Sequence, residues 1–372
     1  MSRAVDAVAA ALRRFNGRRV DLLVGEPFFD PPVEIVRAFS RSAGTKGSGY
    51  GPPGGLAELR ELLAADISGD RSAPDQVVVT HGAKGGLLVL LAVLVQPGDE
   101  VVHPLPCYPA YPAMVRRFGG TPIAVAERGD GFAGWVEAVA ARVSSRTRAV
   151  VLASPSNPTG TMLTEIVLTS LVGLCRERGV RLILDEAYAA FGAGGGGQAR
   201  LDDIDPTLET VVRVRSASKT FALCGWRIGW LVTDRQLSRR VEAMQSALLN
   251  PPATPPQIAM LALPEVPDRR LEANRRQVRE RLEGMAATLL RAGLEADAPD
   301  GGFYLWVDVR SRLDGDVADS AAWCEALARD RGVGLWPGED FGGPGFVRLA
   351  VPRGPDWRAD LVELERRLAA EG

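Results

Sequence analysis

Histidine and cysteine are scarce: two histidines, His81 and His103, and four cysteines in 372 residues. Cys107, Cys175, Cys224 and Cys324 lie far apart and form no Cys-x-x-Cys pair, which argues against structural zinc and against a disulfide framework. No metal site is expected. There is no run of about 18 or more apolar residues, so no membrane-spanning helix is expected. The longest apolar run, residues 85–95, has the length of a core helix. A formal net charge of −2 gives no global pull toward nucleic acid or an anionic membrane. The opening residues lack the basic, apolar and small-residue succession of a signal peptide. Residues 5–15 read instead as a short amphipathic helix, and the expected compartment is the cytoplasm.

What remains is an ordinary globular composition, 46% hydrophobic and 24% charged. The length suits one large and one small domain better than a single core. Seven β-rich runs alternate with helical patterns: Gln76–Thr80, Glu100–His103, Thr121–Val125, Arg148–Ser154, Arg181–Asp185, Thr210–Arg215 and Gly229–Thr233. Several are almost continuously apolar, as strands buried on both faces are, which predicts an α/β fold with a mostly parallel sheet. The breaker cluster PPATPP at 251–256 marks a boundary between a large domain, 26–253, and a small α+β domain made of 1–25 and 254–372. Within the latter, 268–292 reads as a long helix, 318–331 as a helix, and GGFYLWVDV and GFVRLAV as strands. The glycine-rich stretch 192–197 reads as a flexible surface loop; it lacks the strand-then-helix context of a phosphate cradle.

The string SASKTFALCGWRIGW, 216–230, carries the strongest chemistry. Lys219 sits among small hydroxyl residues directly after an apolar strand, where burial favours an amine able to lose its proton. Ser216, Ser218 and Arg227 suit a phosphate, which needs hydroxyl donors and a guanidinium fork. In ILDEAY, 183–188, Asp185 ends a buried strand, where an acid needs a cationic or hydrogen-bonding partner. THGAKGGL, 80–87, is a strand running into a helix start at Gly82, Ala83 and Lys84, a natural anion site. In GFVRLAV, 345–351, Arg348 lies inside an apolar strand and requires an anionic partner; a carboxylate meets it bidentately.

These motifs, with SPSNPTG at 154–160, PLPCYPAYPAM at 104–114, GYGPPGGLAELR at 49–60 and VGEPFFDPP at 24–32, occur in the order of the fold-type I, class I/II aminotransferases, which the chain resembles over nearly its whole length. The resemblance implies a pyridoxal 5′-phosphate (PLP) enzyme. Its sheet should have seven strands, with Lys219 holding the cofactor as a Schiff base. Asp185 would sit at the ring nitrogen, and Tyr188 and Asn157 at the ring oxygen. Ser216, Arg227, Gly82, Ala83 and Lys84 would hold the phosphate, and Tyr108 would stack on the ring. Tyr50 would reach the neighbouring subunit's phosphate, making a homodimer with shared active sites. Arg348, with Asn157 and Gly25, would bind the substrate carboxylate. The implied reaction is ping-pong amino transfer between an L-amino acid and a 2-oxo acid. A PLP lyase or cyclase is the alternative, because the cofactor frame does not fix the outcome. Substrate clues conflict, since Phe28 and Phe29 suggest an apolar wall and Lys84 an acidic group.

Overall fold

A computed structural model describes residues 4–42, 49–65, 72–127, 132, 134–192, 201–313 and 319–369. Seven strands form one sheet: β1 Val77–Thr80, β2 Glu100–Leu105, β3 Thr121–Ala126, β4 Thr147–Ala153, β5 Arg181–Asp185, β6 Val211–Ser216 and β7 Gly229–Val232. Each coincides within a residue or two with one of the runs read from the sequence. The order across the sheet is β1-β7-β6-β5-β4-β2-β3, and only β7 runs against the rest. The carboxyl ends of β1, β4, β5 and β6 therefore open on one side, where ligands of open α/β sheets bind.

Apart from the edge strand β3, the sheet is buried on both faces, as its apolar strands require. Helix Gly82–Leu94 is apolar nearly all round because it lies between the sheet and helix Arg235–Leu248; Leu87, Leu90 and Leu91 pack with Val78, Val214 and Leu231. The surrounding helices start and stop where local chemistry dictates. Asp234 accepts from the amides of Gln236 and Leu237 at 2.8 and 3.0 Å, and Gly179 ends helix Glu165–Arg178 with φ 65°.

A second sheet, β9-β10-β8, is antiparallel, with β8 Tyr304–Asp308, β9 Trp336–Pro337 and β10 Phe346–Ala350. Its core gathers Val8 and Leu12 of helix Ala4–Arg14, Met285 and Leu289 of helix Asp268–Arg291, and Leu364 of the last helix. The long helix and the N-terminal helix lie where the sequence predicts them. Ala259, Met260 and Leu263 pack with Ile35, Val79 and Trp230 on the large sheet. We therefore propose that the domain boundary falls before Asp268 and not after Ala253. Of the expected glycine-rich loop, only Gly192 is described; 193–197, like the first residue of the helix expected at 318–331, lie outside the described residues. Among the described residues no helix is long and apolar enough to cross a membrane.

Candidate active site

Lys219 stands on the single-turn helix Ala217–Thr220 that β6 feeds directly, and the Ser216 hydroxyl caps that turn by accepting from the Ser218 amide at 3.1 Å. The lysine Nζ donates to the carbonyl of Gly25 at 2.5 Å, lies 3.8 Å from Cys224 Sγ and sits 5.7 Å from the centre of the Tyr188 ring. The N-terminal segment therefore folds over the end of the sheet and meets the lysine with backbone. A Cβ at Gly25 would overlap the ring of Tyr304.

Asp185 ends the neighbouring strand, β5, and is buried. Its Oδ2 accepts from the Tyr111 hydroxyl at 2.8 Å and its Oδ1 from the Ala187 amide at 3.1 Å. Burial pushes its pKa up, and these two donors pull it back. Tyr108 lies edge-on to Tyr111, with ring centres 5.6 Å apart. Its hydroxyl pKa is raised, first by burial and then by the charge of Asp185. Tyr188, also buried, shares a hydrogen bond between hydroxyls with Tyr304 of β8, and burial raises both pKa values.

Arg348, on β10, is 2% exposed. It donates to Asn157 Oδ1 at 3.0 Å and to the Leu23 carbonyl at 2.8 Å, while its Nε is buried without a partner. No protein carboxylate pairs with it among the described residues; burial lowers its pKa. Asn157 comes from the turn after β4, so Arg348 bridges the two sheets. The Leu23 carbonyl at this arginine comes two residues before Gly25.

An anion corner forms where β1 meets helix Gly82–Leu94. Gly82 has φ 73°, and a Cβ there would come 2.6 Å from an Arg227 amino group. Arg227, itself at φ 56°, donates to the carbonyls of Cys224 and His81 at 2.8 and 3.3 Å, so its guanidinium lies across the helix start. Ala83 and Ser218 are buried there. Lys84 is exposed and lines a surface hollow with His81, Met114 and Arg227. Tyr50 is 88% exposed and, among the described residues, makes no hydrogen bond or ring contact with another site residue. Phe28 stacks against the Arg281 guanidinium, 3.4 Å from its ring centre, while Phe29 lies 5.9 Å from Phe191.

The structure thus brings together Lys219, Asp185, Tyr188, Tyr108, Asn157, Arg348 and the Gly25 backbone, with the Ser216–Arg227–Gly82 corner beside them. The sequence reading missed Tyr111 and Tyr304. Both lie in strings already singled out; their sole further signal is a hydroxyl at a buried position, which demands a partner.

These residues fit PLP. Among the described residues Asp185 has no cation as a hydrogen-bonding partner, so its carboxylate can take a protonated ring nitrogen. The side-chain-free space at Gly82, facing Arg227, suits a phosphate. The chain belongs to the aminotransferase class I and II family, whose model matches residues 18–361. It is 34% identical to the aspartate/prephenate aminotransferase of Thermus thermophilus, covering 93% of this chain and 90% of that protein. It is 31% identical to the valine–pyruvate aminotransferase of Mycobacterium tuberculosis, over 97% and 93%. The solved Thermus thermophilus aspartate aminotransferase with maleate superposes with a TM-score of 0.91 at 32% identity, covering 100% of this chain and 97% of that one. The protein is accordingly a PLP-dependent aminotransferase acting on amino-acid and 2-oxo-acid substrates.

Proposed function

We propose that Lys219 is the cofactor-binding lysine and the proton carrier, and that Arg348 anchors the α-carboxylate of amino acid and 2-oxo acid in turn. The convergence of Lys219, Asp185 and the Arg348–Asn157 pair on the open ends of β4, β5 and β6 carries this reading. Bound PLP supplies an electron-withdrawing ring that stabilises negative charge at the substrate α-carbon. Asp185 keeps the ring nitrogen protonated, while Tyr188 and Asn157 donate to the ring oxygen. Tyr108 stacks on the ring. Ser216, Arg227 and the amides of Gly82 and Ala83 bind the phosphate, with Lys84 adding charge at the rim. Lys219 Nζ would take the proton from the substrate α-carbon as base and deliver it, as acid, to the C4′ carbon of bound PLP. One carboxylate anchor serves both substrates, so they bind one after the other, and ping-pong kinetics follow.

The protein works in this reading as a cytoplasmic homodimer, with Tyr50 reaching the partner's phosphate site. Its exposure in the single chain supports that assignment. Aspartate is the first donor to test, because several relatives, including one from Bacillus subtilis, are named aspartate aminotransferase. The test is an absorbance spectrum before and after single amino acids, with no 2-oxo acid present. A donor should convert the cofactor band in one turnover and release one 2-oxo acid per site, and Lys219→Ala should abolish the starting band. Repeated turnover without an acceptor would overturn the transaminase roles in favour of a lyase.

A further inference from the structure

A fully buried arginine without a protein carboxylate needs its charge stabilised by other means, since desolvation of an unpaired cation is costly. Around Arg348 that role falls to aromatic faces. Its guanidinium carbon lies 4.0 Å from the ring centre of Tyr304 and 4.2 Å from that of Trp336, with Phe341 at 5.0 Å. Such distances allow the planar cation to stack on the negative faces of the rings.

Trp336 is itself held in place from several sides. It stands directly opposite Arg348 in the β9–β10 pairing, so both side chains leave the same face of the sheet. Its indole Nε1 donates to Asp340 Oδ2 at 2.8 Å. The same carboxylate accepts from the amides of Ala4 and Val5, each at 3.0 Å, and so caps the N-terminal helix. The ring of Phe341 lies 5.3 Å from that of Trp336.

We propose that Trp336 is a positioning residue for substrate: with Tyr304 it walls the Arg348 guanidinium and holds its plane in one orientation, with no carboxylate of the described residues paired to it, until a substrate carboxylate arrives. An ion-paired arginine would have to exchange partners at each half-reaction. An aromatic-walled one gives up nothing and is preorganised for its ligand. Asp340 extends the arrangement to the helix Ala4–Arg14, so that helix is tied to the carboxylate anchor. This role for Trp336 rests on Arg348 being that anchor.

The test uses the PLP-loaded enzyme and 2-methylalanine, which has an α-carboxylate but no α-hydrogen, so it binds without turning over. Its dissociation constant is read from the shift of the cofactor band, and PLP affinity is measured in parallel. Trp336→Leu should weaken 2-methylalanine about thirty-fold, the size of a desolvated cation–π contact, with PLP affinity unchanged. For a turned-over amino acid KM should rise by a similar factor, with kcat within about three-fold of wild type. Trp336→Phe restores an aromatic face without the indole N–H and should recover most of the affinity. Equal loss in the Leu and Phe variants, or no loss in either, overturns the proposal. Arg348→Leu separates the two levels: unchanged 2-methylalanine binding in that variant would sink the anchor assignment itself.

Discussion

The hydroxyl of Tyr111 donates to the carboxylate of Asp185 at 2.8 Å, in a pair closed off from solvent. The bond fixes one oxygen of the carboxylate and opposes the effect of burial, which favours its protonated form. In the role proposed for Asp185, a carboxylate serving a pyridinium nitrogen must stay ionised, so Tyr111 would act on the cofactor through Asp185. Tyr111→Phe keeps the ring and removes the donor. A hydrogen bond to a charged group contributes about 1.5–3 kcal/mol, so kcat should fall roughly ten- to hundred-fold. The sign of the pH effect follows: with the donor gone the Asp185 pKa rises further, and the acid limb of the kcat/KM profile moves to higher pH. A pH–rate profile of both proteins checks this.

Gly82 tests the anion corner in another way. Its φ of 73° costs an L-residue about 1–2 kcal/mol, and a methyl group there would press on Arg227 at 2.6 Å. Gly82→Ala should therefore destabilise the protein by about that amount. It should also weaken PLP roughly ten-fold, because Arg227 is pushed off the phosphate position. Equilibrium dialysis of PLP, with chemical denaturation of the apoprotein, separates the two effects.

The sheet was readable because its strands are buried on both faces: VVLAS and RLILD have no polar alternation, and a turn follows each. Lys219, Asp185 and Arg348 were readable because an ionisable group at the end of, or inside, an apolar strand has few explanations. Tyr111 and Tyr304 were not, since their partners Asp185 and Tyr188 lie 74 and 116 residues away and only the folded chain joins them. The proline cluster has a local role of its own. Proline is tolerated in the first turn of a helix, whose amides have no intrahelical acceptor, and helix Thr254–Met260 begins with Pro255 and Pro256 there. With the boundary proposed above, the cluster starts a helix of the large unit.

Tyr50 offers a test of the shared active site. If it serves the partner's phosphate, Tyr50→Ala and Lys219→Ala each impair every site of their own homodimer. In a hybrid of the two, one site combines an intact Lys219 with an intact Tyr50. Co-expression should then restore activity approaching half that of wild type per hybrid dimer. A tyrosine acting within its own chain would leave the hybrid no better than the average of its parents. Differently tagged chains, purified through both tags and assayed, give the answer.

Glu127, just beyond β3, has a buried Oε1 with no hydrogen-bond partner among the described residues. Burial alone raises its pKa from 4.5 to about 8. The folded state then holds this proton where the unfolded state has released it. The protonated group costs little below the unfolded value. As pH rises from about 4.5 through about 8, the folded protein loses stability relative to the unfolded chain. Glu127→Gln removes the ionisation and keeps the shape. At pH 5 the two proteins should unfold at similar denaturant concentrations. At pH 9 the variant should be the more stable by about 2 kcal/mol, given that a tenfold change in proton affinity corresponds to about 1.4 kcal/mol and that partial exposure of the side chain softens the effect. Denaturation curves at the two pH values, with PLP absent from both, decide it; equal stability at pH 9 would mean that the carboxylate reaches water when it ionises.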